Sequence, residues 1–162
     1  MAGIRGKNTK PELVIRRGLH SRGFRYVLHD NRLPGRPDLV FPKHRAVIFV
    51  HGCFWHGHCC HLFKLPSTRR EFWRKKINRN QQVDHNAIVA IKDAGWRCCV
   101  VWECGLKGRG AIPVDLLLDR CSTWLRSKRR SYELRGYQED EAEISFRVLH
   151  RKRRKDSGCD RN

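Results

Sequence analysis

The residues best suited to chemistry lie in one short stretch of this sequence, positions 51–61. It contains seven imidazole and thiol side chains: His51, Cys53, His56, His58, Cys59, Cys60 and His61. Any one of them alone would be interpreted as a small buried cysteine or a surface histidine, since cysteine often behaves as a small hydrophobic residue. Such a density of titratable groups has no use in a hydrophobic core. The cluster as a whole therefore predicts metal binding or catalysis.

The spacing Cys53-x4-His58-x-Cys60 offers three metal ligands within a single loop. Cys104, at the end of a later predicted strand, can supply a fourth. Thiolate and imidazole together suit tetrahedral zinc, and four protein ligands make a structural site. Spacing alone does not select the set, because other residues compete: Cys59, His56 and His61. A redox pair at Cys59 and Cys60 is the alternative, although adjacent cysteines lack the usual C-x-x-C spacing.

Strands and helices alternate around this stretch. Short apolar runs rich in β-branched residues predict strands at 24–28, 37–41, 46–50 and 96–102. Helical periodicity and capping motifs predict helices at 9–21, from 68 onward, at 81–94 and at 113–126. The sequence therefore predicts one α/β domain, residues 1–126. Apolar periodicity then fades, and residues 127–162 are expected to form a basic tail that is loosely held or disordered.

Asp38 stands at the entrance of the predicted strand 37–41, beside Pro37. An acid beside a proline is usually a turn residue, but only residues 42–45 separate this strand from 46–50. Two adjacent strands would bring Asp38 near the end of the strand that leads into the cluster. This arrangement resembles the PD-(D/E)xK nucleases, in which a Pro-Asp pair and an acid-x-lysine motif hold a divalent metal over the scissile phosphate.

The second half of that motif is replaced here by Phe49-Val50-His51. Histidine would then act as the base in place of lysine, and a backbone carbonyl would bind the metal in place of the acid. Two other acidic residues have sufficient local explanations. Glu12 completes a helix capping box, and Asp84 lies in the first turn of a predicted helix, where it favours the helix dipole.

The charge of the chain indicates an anionic partner. The net charge is +19, from 35 Lys and Arg against 16 Asp and Glu among 162 residues. Nucleic acid is the leading candidate, and an acidic membrane surface is the alternative. No apolar run is long enough for a transmembrane helix, and the first residues lack an apolar signal segment. The protein is therefore expected inside the cell, where its eight cysteines stay reduced as metal ligands and free thiols.

Five segments together resemble the very short patch repair (Vsr) DNA mismatch endonucleases: IRGKNTKPE, LPGRPDLVF, VIFVHGCFWHGHCCHLFKLP, TRREFWRKKI and GWRCCVVWECGL. The resemblance covers roughly residues 1–125, with these segments in order. The resemblance implies a restriction-endonuclease-like α/β domain, related to the PD-(D/E)xK nucleases, with a central mixed sheet flanked by helices. It also implies a magnesium-dependent endonuclease that starts very short patch repair. Such an enzyme nicks one DNA strand 5′ to the thymine of a T·G mismatch, which arises when 5-methylcytosine deaminates.

The resemblance implies catalytic roles at the matching positions. Asp38 matches the catalytic aspartate that binds magnesium. Val50 occupies a position that is normally threonine, whose main-chain carbonyl binds magnesium, and a backbone contact survives that change. His56 matches the histidine that activates water. Supporting polar residues around the metals are matched by Glu12, His51 and Asp84.

The resemblance also implies the zinc ligands: Cys53, His58, Cys60 and Cys104. Gly57 and Cys59 replace histidines often found in the family's loop. Phe54 and Trp55 match aromatic residues that wedge into the DNA stack beside the mismatch, and Met1 matches a methionine that helps from the other groove. An exposed aromatic pair is unfavourable in an isolated protein. It is explained as a wedge, because a mismatched step unstacks most easily.

The expected partners are double-stranded DNA containing a T·G mismatch and repair proteins. The expected enzyme is a monomer in the bacterial cytoplasm, associated with the nucleoid. Trp73 is expected in the core rather than at the DNA. Two other functions fit the residues. One is a zinc-stabilised DNA-binding module without catalysis, and the other is a nuclease of the same fold with another target, such as a restriction enzyme.

Overall fold

The sheet places its strands side by side in chain order. The computed structural model describes residues 7–137, and these form a mixed five-stranded sheet with three α-helices. The strands are β1 Val27–Leu28, β2 Leu39–Phe41, β3 Ala46–His51, β4 Arg97–Trp102 and β5 Ser131–Leu134. The helices are α1 Lys10–Ser21, α2 Arg70–Asp93 and α3 Val114–Arg126. The prediction of a small α/β domain is confirmed. Across the same residues, no helix has both the length and the hydrophobicity needed to cross a membrane.

The central strand of the sheet is β3. It pairs antiparallel with β2, where Leu39 lies opposite Ile48, and parallel with β4, where His51 lies opposite Trp102. The connection between β3 and β4 contains α2, as a crossover between parallel strands requires. Because β3 and β4 are parallel, their carboxyl ends lie at the same edge of the sheet. The loop after β3 and the segment after β4 therefore meet there.

Two hydrophobic clusters cover the two faces of the sheet. Alternate residues of a strand point to opposite faces. Ala46 and Ile48 of β3 pack in a cluster with α1 and α3, whereas Val47 and Phe49 pack in a second cluster with Ile91 of α2. Five of the six residues of β3 are buried, as expected for a strand covered on both faces. This packed layer fixes the strand ends that carry the polar residues.

A single helix, α2, replaces the two shorter helices predicted for its region. It runs for 24 residues and begins after Arg69, which has a left-handed backbone (φ +49°) and makes no side-chain cap. The capping motif predicted at the start of this helix, from residue 68, does not form. At the predicted break, Asn80 and Gln81 donate side-chain hydrogen bonds to the carbonyl oxygens of Trp55 and Gly57, at 2.9 and 3.2 Å. The polar residues that resembled a helix boundary instead hold the loop after β3.

The sheet continues past residue 126, where the sequence placed the end of the domain. There β5 pairs in parallel with β4, and within it only Leu134 is buried. This pattern is that of an edge strand, so its apolar signal is too weak to predict a strand. Conversely, the strand predicted over 24–28 is shorter in the structure, where β1 contains only Val27–Leu28. Met1 and the basic run 151–155 lie outside the described residues.

Candidate active site and metal cluster

Asp38 is held between the backbone of β3 and a cleft. The pairing of β2 with β3 brings its Oδ2 to 2.7 Å from the backbone nitrogen of Val50, which donates a hydrogen bond to it. The pKa of Asp38 is raised to about 6, mainly by burial and also by the nearby Glu12 carboxylate, against the opposing effect of the Val50 hydrogen bond. A buried carboxylate that is difficult to ionise is stabilised in its charged form by a cation. The position of Asp38 beside the end of β3 is the one that its sequence context predicted.

A second carboxylate, Glu12 of α1, lies near Asp38. It is only 2% exposed, and its Oε2 accepts a hydrogen bond from the backbone nitrogen of Asn8 at 2.7 Å. Thr9 caps α1 as predicted, since its hydroxyl oxygen accepts from the backbone nitrogen of Glu12 at 3.4 Å. The other carboxylate oxygen, Oε1, lies 3.4 Å from Nη1 of Arg16. The carboxylate therefore bonds beyond the cap, and its role is not limited to capping.

His29 completes this group, and no sequence pattern pointed to it. It follows β1, where its backbone nitrogen donates to the carbonyl oxygen of Asp38 at 3.4 Å. Its ring Nε2 lies 3.2 Å from Oε1 of Glu12, and its Nδ1 lies 3.8 Å from Oδ1 of Asp38. Together the three side chains form a group that could hold a metal ion. A histidine in a turn has no local signature, because only the pairing of β1 with β2 brings it to Asp38.

A histidine–aspartate pair lies on the other side of the cleft. Nδ1 of His56 is 2.5 Å from Oδ2 of Asp84 in α2. Because a carboxylate only accepts hydrogen bonds, Nδ1 carries a proton, and Nε2 makes no hydrogen bond to residues 7–137. His51 stacks on His56, with ring centroids 3.9 Å apart and planes 2° apart. Burial, and then the proximity of His56, lower the pKa of His51 to about 3, so this second ring is neutral at physiological pH.

One cleft of about 590 Å³ joins the two groups. Asp38 and Glu12 line one part of it, and His56 and Asp84 line another. Asp84 lies well inside α2 rather than in a first turn, so the helix-dipole explanation for it is wrong; it pairs with His56 instead. The cationic residues on the walls of the cleft are Lys7 and Arg36. The cleft therefore combines carboxylates, an oriented imidazole and positive charge, a combination suited to a phosphate ester.

Four Cys and His side chains converge where β3 and β4 end. The ligand atoms of this Cys/His cluster all lie within 4.8 Å of one another: Cys53, His58, Cys60 and Cys104. The sulfur atoms of Cys53 and Cys104 lie 3.6 and 3.5 Å from Nδ1 of His58. Tetrahedral zinc, with bonds of about 2.3 Å to sulfur and about 2.0 Å to nitrogen, separates such ligands by about 3.5 Å. The residues present therefore fit a zinc ion.

The backbone supports negative charge on two of these sulfurs. The backbone nitrogen of Cys104 donates to Sγ of Cys53, and that of Gly136 donates to Sγ of Cys104, both at 3.3 Å. A hydrogen bond from the Cys53 thiol lowers the pKa of Cys104, which favours the thiolate form of Cys104. Thiolate is the form that binds metal. Gly136 follows β5, so the segment beyond the predicted domain boundary also supports the cluster.

The competing ligands do not join the Cys/His cluster. Cys59 and His61 are exposed, and His56 pairs with Asp84 across the cleft. Cys59 and Cys60 are both free thiols. Because Cys60 belongs to the Cys/His cluster, it would not be available for a redox pair with Cys59 while a metal is bound.

Phe54 and Trp55 form a half-buried aromatic cluster with Trp73 of α2. The three ring centroids are 5.1 to 5.9 Å apart. Nζ of Lys76 lies 5.3 Å from the ring centroid of Trp55. Trp73 belongs to neither hydrophobic cluster of the sheet, so its prediction as a core residue is wrong. The basic residues that surround it in sequence are the signal that could have placed it at the surface.

Comparison with known proteins agrees with this geometry. The model of the family described as "DNA mismatch endonuclease Vsr" matches residues 1–62. The chain is 40% identical over 134 residues to the DNA mismatch endonuclease Vsr of Escherichia coli (strain K12), covering 83% of this chain and 86% of that protein. It is 48% identical over 116 residues to the type II nicking enzyme V.XorIIP of Xanthomonas oryzae pv. oryzae, covering 72% and 85%.

A third relative has a similar relation to the chain. Identity with the type II nicking enzyme V.NmeAIP of Neisseria meningitidis is 41% over 109 residues, covering 67% of this chain and 78% of that protein. These similarities extend over most of the relatives' length. The chain therefore belongs to the Vsr family of DNA mismatch endonucleases, the family that its motifs predicted.

Proposed function

We propose that this protein nicks one strand of double-stranded DNA 5′ to the thymine of a T·G mismatch that arises from deaminated 5-methylcytosine. The observation that carries the proposal is the single cleft that contains Asp38, the His56–Asp84 pair and Trp55. A carboxylate for a metal ion and an oriented imidazole for water are two parts that metal-assisted phosphodiester hydrolysis needs. The relatives' names, a DNA mismatch endonuclease and type II nicking enzymes, support the same reaction.

His56 is the general base of this mechanism. Asp84 accepts a hydrogen bond from Nδ1 at 2.5 Å, which leaves Nε2 free to take a proton from water. Asp84 also stabilises the positive charge on the ring once the proton has moved. The neutral His51 ring, stacked on His56, restrains its orientation without adding a competing charge. The water oxygen attacks phosphorus as its proton moves to Nε2. The bond from phosphorus to one of its two ester oxygens breaks, and that oxygen leaves and takes up a proton to become a hydroxyl, which completes the nick.

Asp38 and the main-chain carbonyl of Val50 would hold Mg²⁺, with Glu12 as a supporting carboxylate. Oxygen ligands are the ones that magnesium prefers, and a buried carboxylate with a raised pKa fits a cation. When bound, magnesium supplies charge neutralisation on the phosphate and a lower pKa for the attacking water. The hydrogen bond from Val50 nitrogen fixes Asp38 relative to β3. A contact through the main chain explains why valine can stand where the family has threonine.

Zinc held by the Cys/His cluster would be structural. Four protein ligands leave no open coordination position for a substrate. The cluster joins the loop after β3 to the end of β4, and that loop carries His56 and the aromatic pair Phe54 and Trp55. Zinc would therefore position both the base and the DNA-contacting residues.

The aromatic cluster would recognise the mismatch. Phe54 and Trp55 insert beside the T·G pair, where unstacking is easier than at a paired step. Met1, outside the described residues, assists from the other groove. Lys7 and Arg36 on the cleft wall and the basic residues of 127–162 contact phosphates, which position the DNA without reading its sequence.

We also propose a restriction-endonuclease-like fold that includes β5 beyond residue 126, and a monomeric state. The expected partners are repair proteins, and the expected location is the nucleoid of the bacterial cytoplasm. The mixed sheet with Asp38 beside its central strand supports the fold. The net charge of +19 supports association with DNA inside the cell.

A panel of labelled duplexes tests the proposed function. With magnesium, the protein should nick the thymine strand of a T·G duplex at one position and leave the matched T·A and C·G duplexes intact. Equal nicking of paired DNA would support a restriction-type nuclease instead. Mismatch binding without any nicking would support a DNA-binding module and contradict the assignment of His56 and Asp38 to catalysis.

A further inference from the structure

The group formed by Glu12, His29 and Asp38 adds a nitrogen to a site for which the proposed function needs only oxygen ligands. We propose that His29 binds the divalent ion at Asp38 directly through a ring nitrogen and gives this site a preference for Mn²⁺ over Mg²⁺. The inference rests on the proposed function, because it concerns the ion held by Asp38 in the same cleft.

The group has the dimensions of a cation site when one atom of each residue is counted, since a nitrogen of His29 and one oxygen each of Glu12 and Asp38 lie within 4.8 Å of one another. Nε2 of His29 lies 3.2 Å from Oε1 of Glu12, and Nδ1 lies 3.8 Å from Oδ1 of Asp38, so the two ring nitrogens face different carboxylates and one ion would use only one of them. Two ligands at right angles on an ion with bonds of about 2.2 Å are about 3.1 Å apart, and wider angles separate them further. The two oxygens of Asp38 have different neighbours, because Oδ2 accepts from Val50 nitrogen and Oδ1 is the oxygen nearest His29. One ion can therefore contact Oδ1 without breaking the bond to β3.

The hydrogen bonding of His29 does not explain its position. Nε2 is fully buried and has no hydrogen-bond partner among the described residues, because its approach to Glu12 lacks hydrogen-bond geometry. Nδ1 is too far from Asp38 for a hydrogen bond at 3.8 Å. Buried polar nitrogens are normally satisfied, so an imidazole whose two nitrogens each face a carboxylate without a good hydrogen bond indicates an absent ligand.

The backbone at His29 is a second, independent observation. Its φ is +49°, a left-handed conformation that is unfavourable for residues other than glycine. Such strain persists where the surrounding structure requires the residue, and it is often found at ligand sites. The hydrogen bond from its backbone nitrogen to the carbonyl oxygen of Asp38 holds this conformation, and the side chain is only 15% exposed. The fold therefore directs the imidazole into the cleft.

The alternative role for His29 is to bridge the carboxylates of Glu12 and Asp38 and offset their negative charge. In that role a protonated ring would donate a hydrogen bond to each carboxylate. Glu12 already has a cationic neighbour, since Nη1 of Arg16 lies 3.4 Å from its Oε1. The contact of Nε2 with Glu12 is misaligned and the contact of Nδ1 with Asp38 is long, so both are poor hydrogen bonds. Such contacts are better explained by a metal ligand whose ion is absent.

The metal preference follows from ligand chemistry. Magnesium prefers oxygen ligands, whereas imidazole nitrogen suits transition metals, and Mn²⁺ accepts a mixture of carboxylate and imidazole. A site with two carboxylates and one imidazole should therefore bind Mn²⁺ more tightly than Mg²⁺.

Mn²⁺ binding to the full-length, zinc-supplemented chain tests this inference without relying on activity. Electron paramagnetic resonance measures free Mn²⁺, and electron spin echo modulation detects a directly bound ¹⁴N. The variant is His29→Asn, since asparagine tolerates a left-handed backbone, and the matched control is His20→Asn at an exposed position of α1. Thermal unfolding of each variant establishes that it folds, and His29→Gln provides a second substitution.

The wild type should show a nitrogen signal and prefer Mn²⁺ in competition with Mg²⁺. His29→Asn should lose that signal and bind Mn²⁺ about 10-fold or more weakly, with a smaller change for Mg²⁺, whereas His20→Asn should match the wild type. An absent signal in the wild type, or one that persists in folded His29→Asn and His29→Gln, would overturn the inference. Equal weakening of both metals would also overturn it, since His29 would then act only by positioning Asp38.

The same preparations separate this inference from the proposed function. Nitrogen-ligated Mn²⁺ in a protein that nicks no T·G duplex with either metal would contradict the proposed function alone. Normal magnesium-dependent nicking of the T·G duplex without a nitrogen signal would contradict the inference alone.

Discussion

In the Cys/His cluster, three of the four ligands come from the loop directly after β3, and only Cys104 comes from elsewhere. In the cleft, almost every polar side chain comes from a different element. Glu12 belongs to α1, His29 follows β1, Asp38 precedes β2 and Asp84 lies in α2. The cluster is therefore assembled mainly by local chain spacing, whereas the cleft is assembled by the pairing of strands and helices.

Substitutions in the two regions should therefore have different effects on folding and catalysis. The loop held by the cluster carries His56 into the cleft, so the cleft depends on the cluster. The cluster contacts the end of β4 and Gly136, and it draws no ligand from the carboxylate side of the cleft. Damage to the cluster should therefore remove folding and catalysis together. Damage to the cleft should remove catalysis and leave the fold intact.

The largest effect is expected from Cys104→Ser. It removes the ligand that joins the loop to β4, and structural zinc contributes on the order of 10 kcal/mol or more to the folding of small domains. Metal analysis and thermal unfolding should show loss of zinc together with a large drop in Tm. Cys59→Ser is the matched control and should keep both. A full zinc equivalent at unchanged Tm in Cys104→Ser would mean that the fourth ligand is another residue.

Asp38→Asn should separate catalysis from folding. It keeps an acceptor for Val50 nitrogen but removes the charge that holds the metal, so single-turnover nicking of a T·G duplex should fall by about 10³-fold or more. Binding of the same duplex, measured by gel shift, should remain. Asp93→Asn, at the exposed end of α2, should nick normally. Magnesium-dependent nicking at the wild-type rate in Asp38→Asn would remove this residue from the mechanism.

The same substitution should stabilise the protein when magnesium is omitted. Since the pKa of Asp38 is raised from 3.8 to about 6, the native state binds the proton more tightly than the unfolded state. The contribution of this group to stability is therefore fully present below the unfolded pKa and is lost as pH rises through about 6. At pH 7, urea unfolding should show Asp38→Asn more stable by at most about 3 kcal/mol, at 1.36 kcal/mol per pKa unit. The difference should shrink toward pH 4, and a constant difference would contradict the assignment.

His56→Ala should lower the nicking rate by about 10²- to 10⁴-fold, the usual contribution of a general base. Asp84→Asn should act through the same imidazole, so the double variant should be no slower than His56→Ala alone. His85→Ala, at an exposed position of α2, is the control. Additive losses in the double variant would show that Asp84 has a separate role. Neither variant should change zinc content, in contrast to Cys104→Ser.

The aromatic cluster is expected to affect the preference among DNA substrates rather than folding or the chemical step. Replacing Phe54 and Trp55 with alanine should reduce the preference for T·G over paired DNA by about 1–3 kcal/mol for each lost base stack. The slope of log affinity against log salt should not change. Deleting residues 138–162 should do the reverse, lowering that slope by about 0.9 per phosphate contact and keeping the preference. Loss of mismatch preference on deletion alone would move recognition away from the loop.

The sequence by itself determined the local features. These features are properties of short segments: the strand and the ligand spacing within 46–61, the Thr9 cap of α1, and the Pro37-Asp38 pair before β2. Periodicity, capping and spacing report on neighbours within one element. The resemblance to the Vsr family, carried by those segments, added the family that the comparisons then showed.

Only the tertiary structure decided which distant residues meet. The pairing of β1 with β2 brought His29 to Asp38, and the crossover of α2 turned Asp84 toward His56 and Trp73 toward the aromatic pair. The edge strand β5 pairs with β4 because the outer edge of β4 has unpaired backbone N–H and C=O groups. The sequence of β5 is not strongly apolar, since only one of its four residues is buried. These outcomes depend on strand register and helix placement across many intervening residues, and such contacts leave no periodic trace in the sequence.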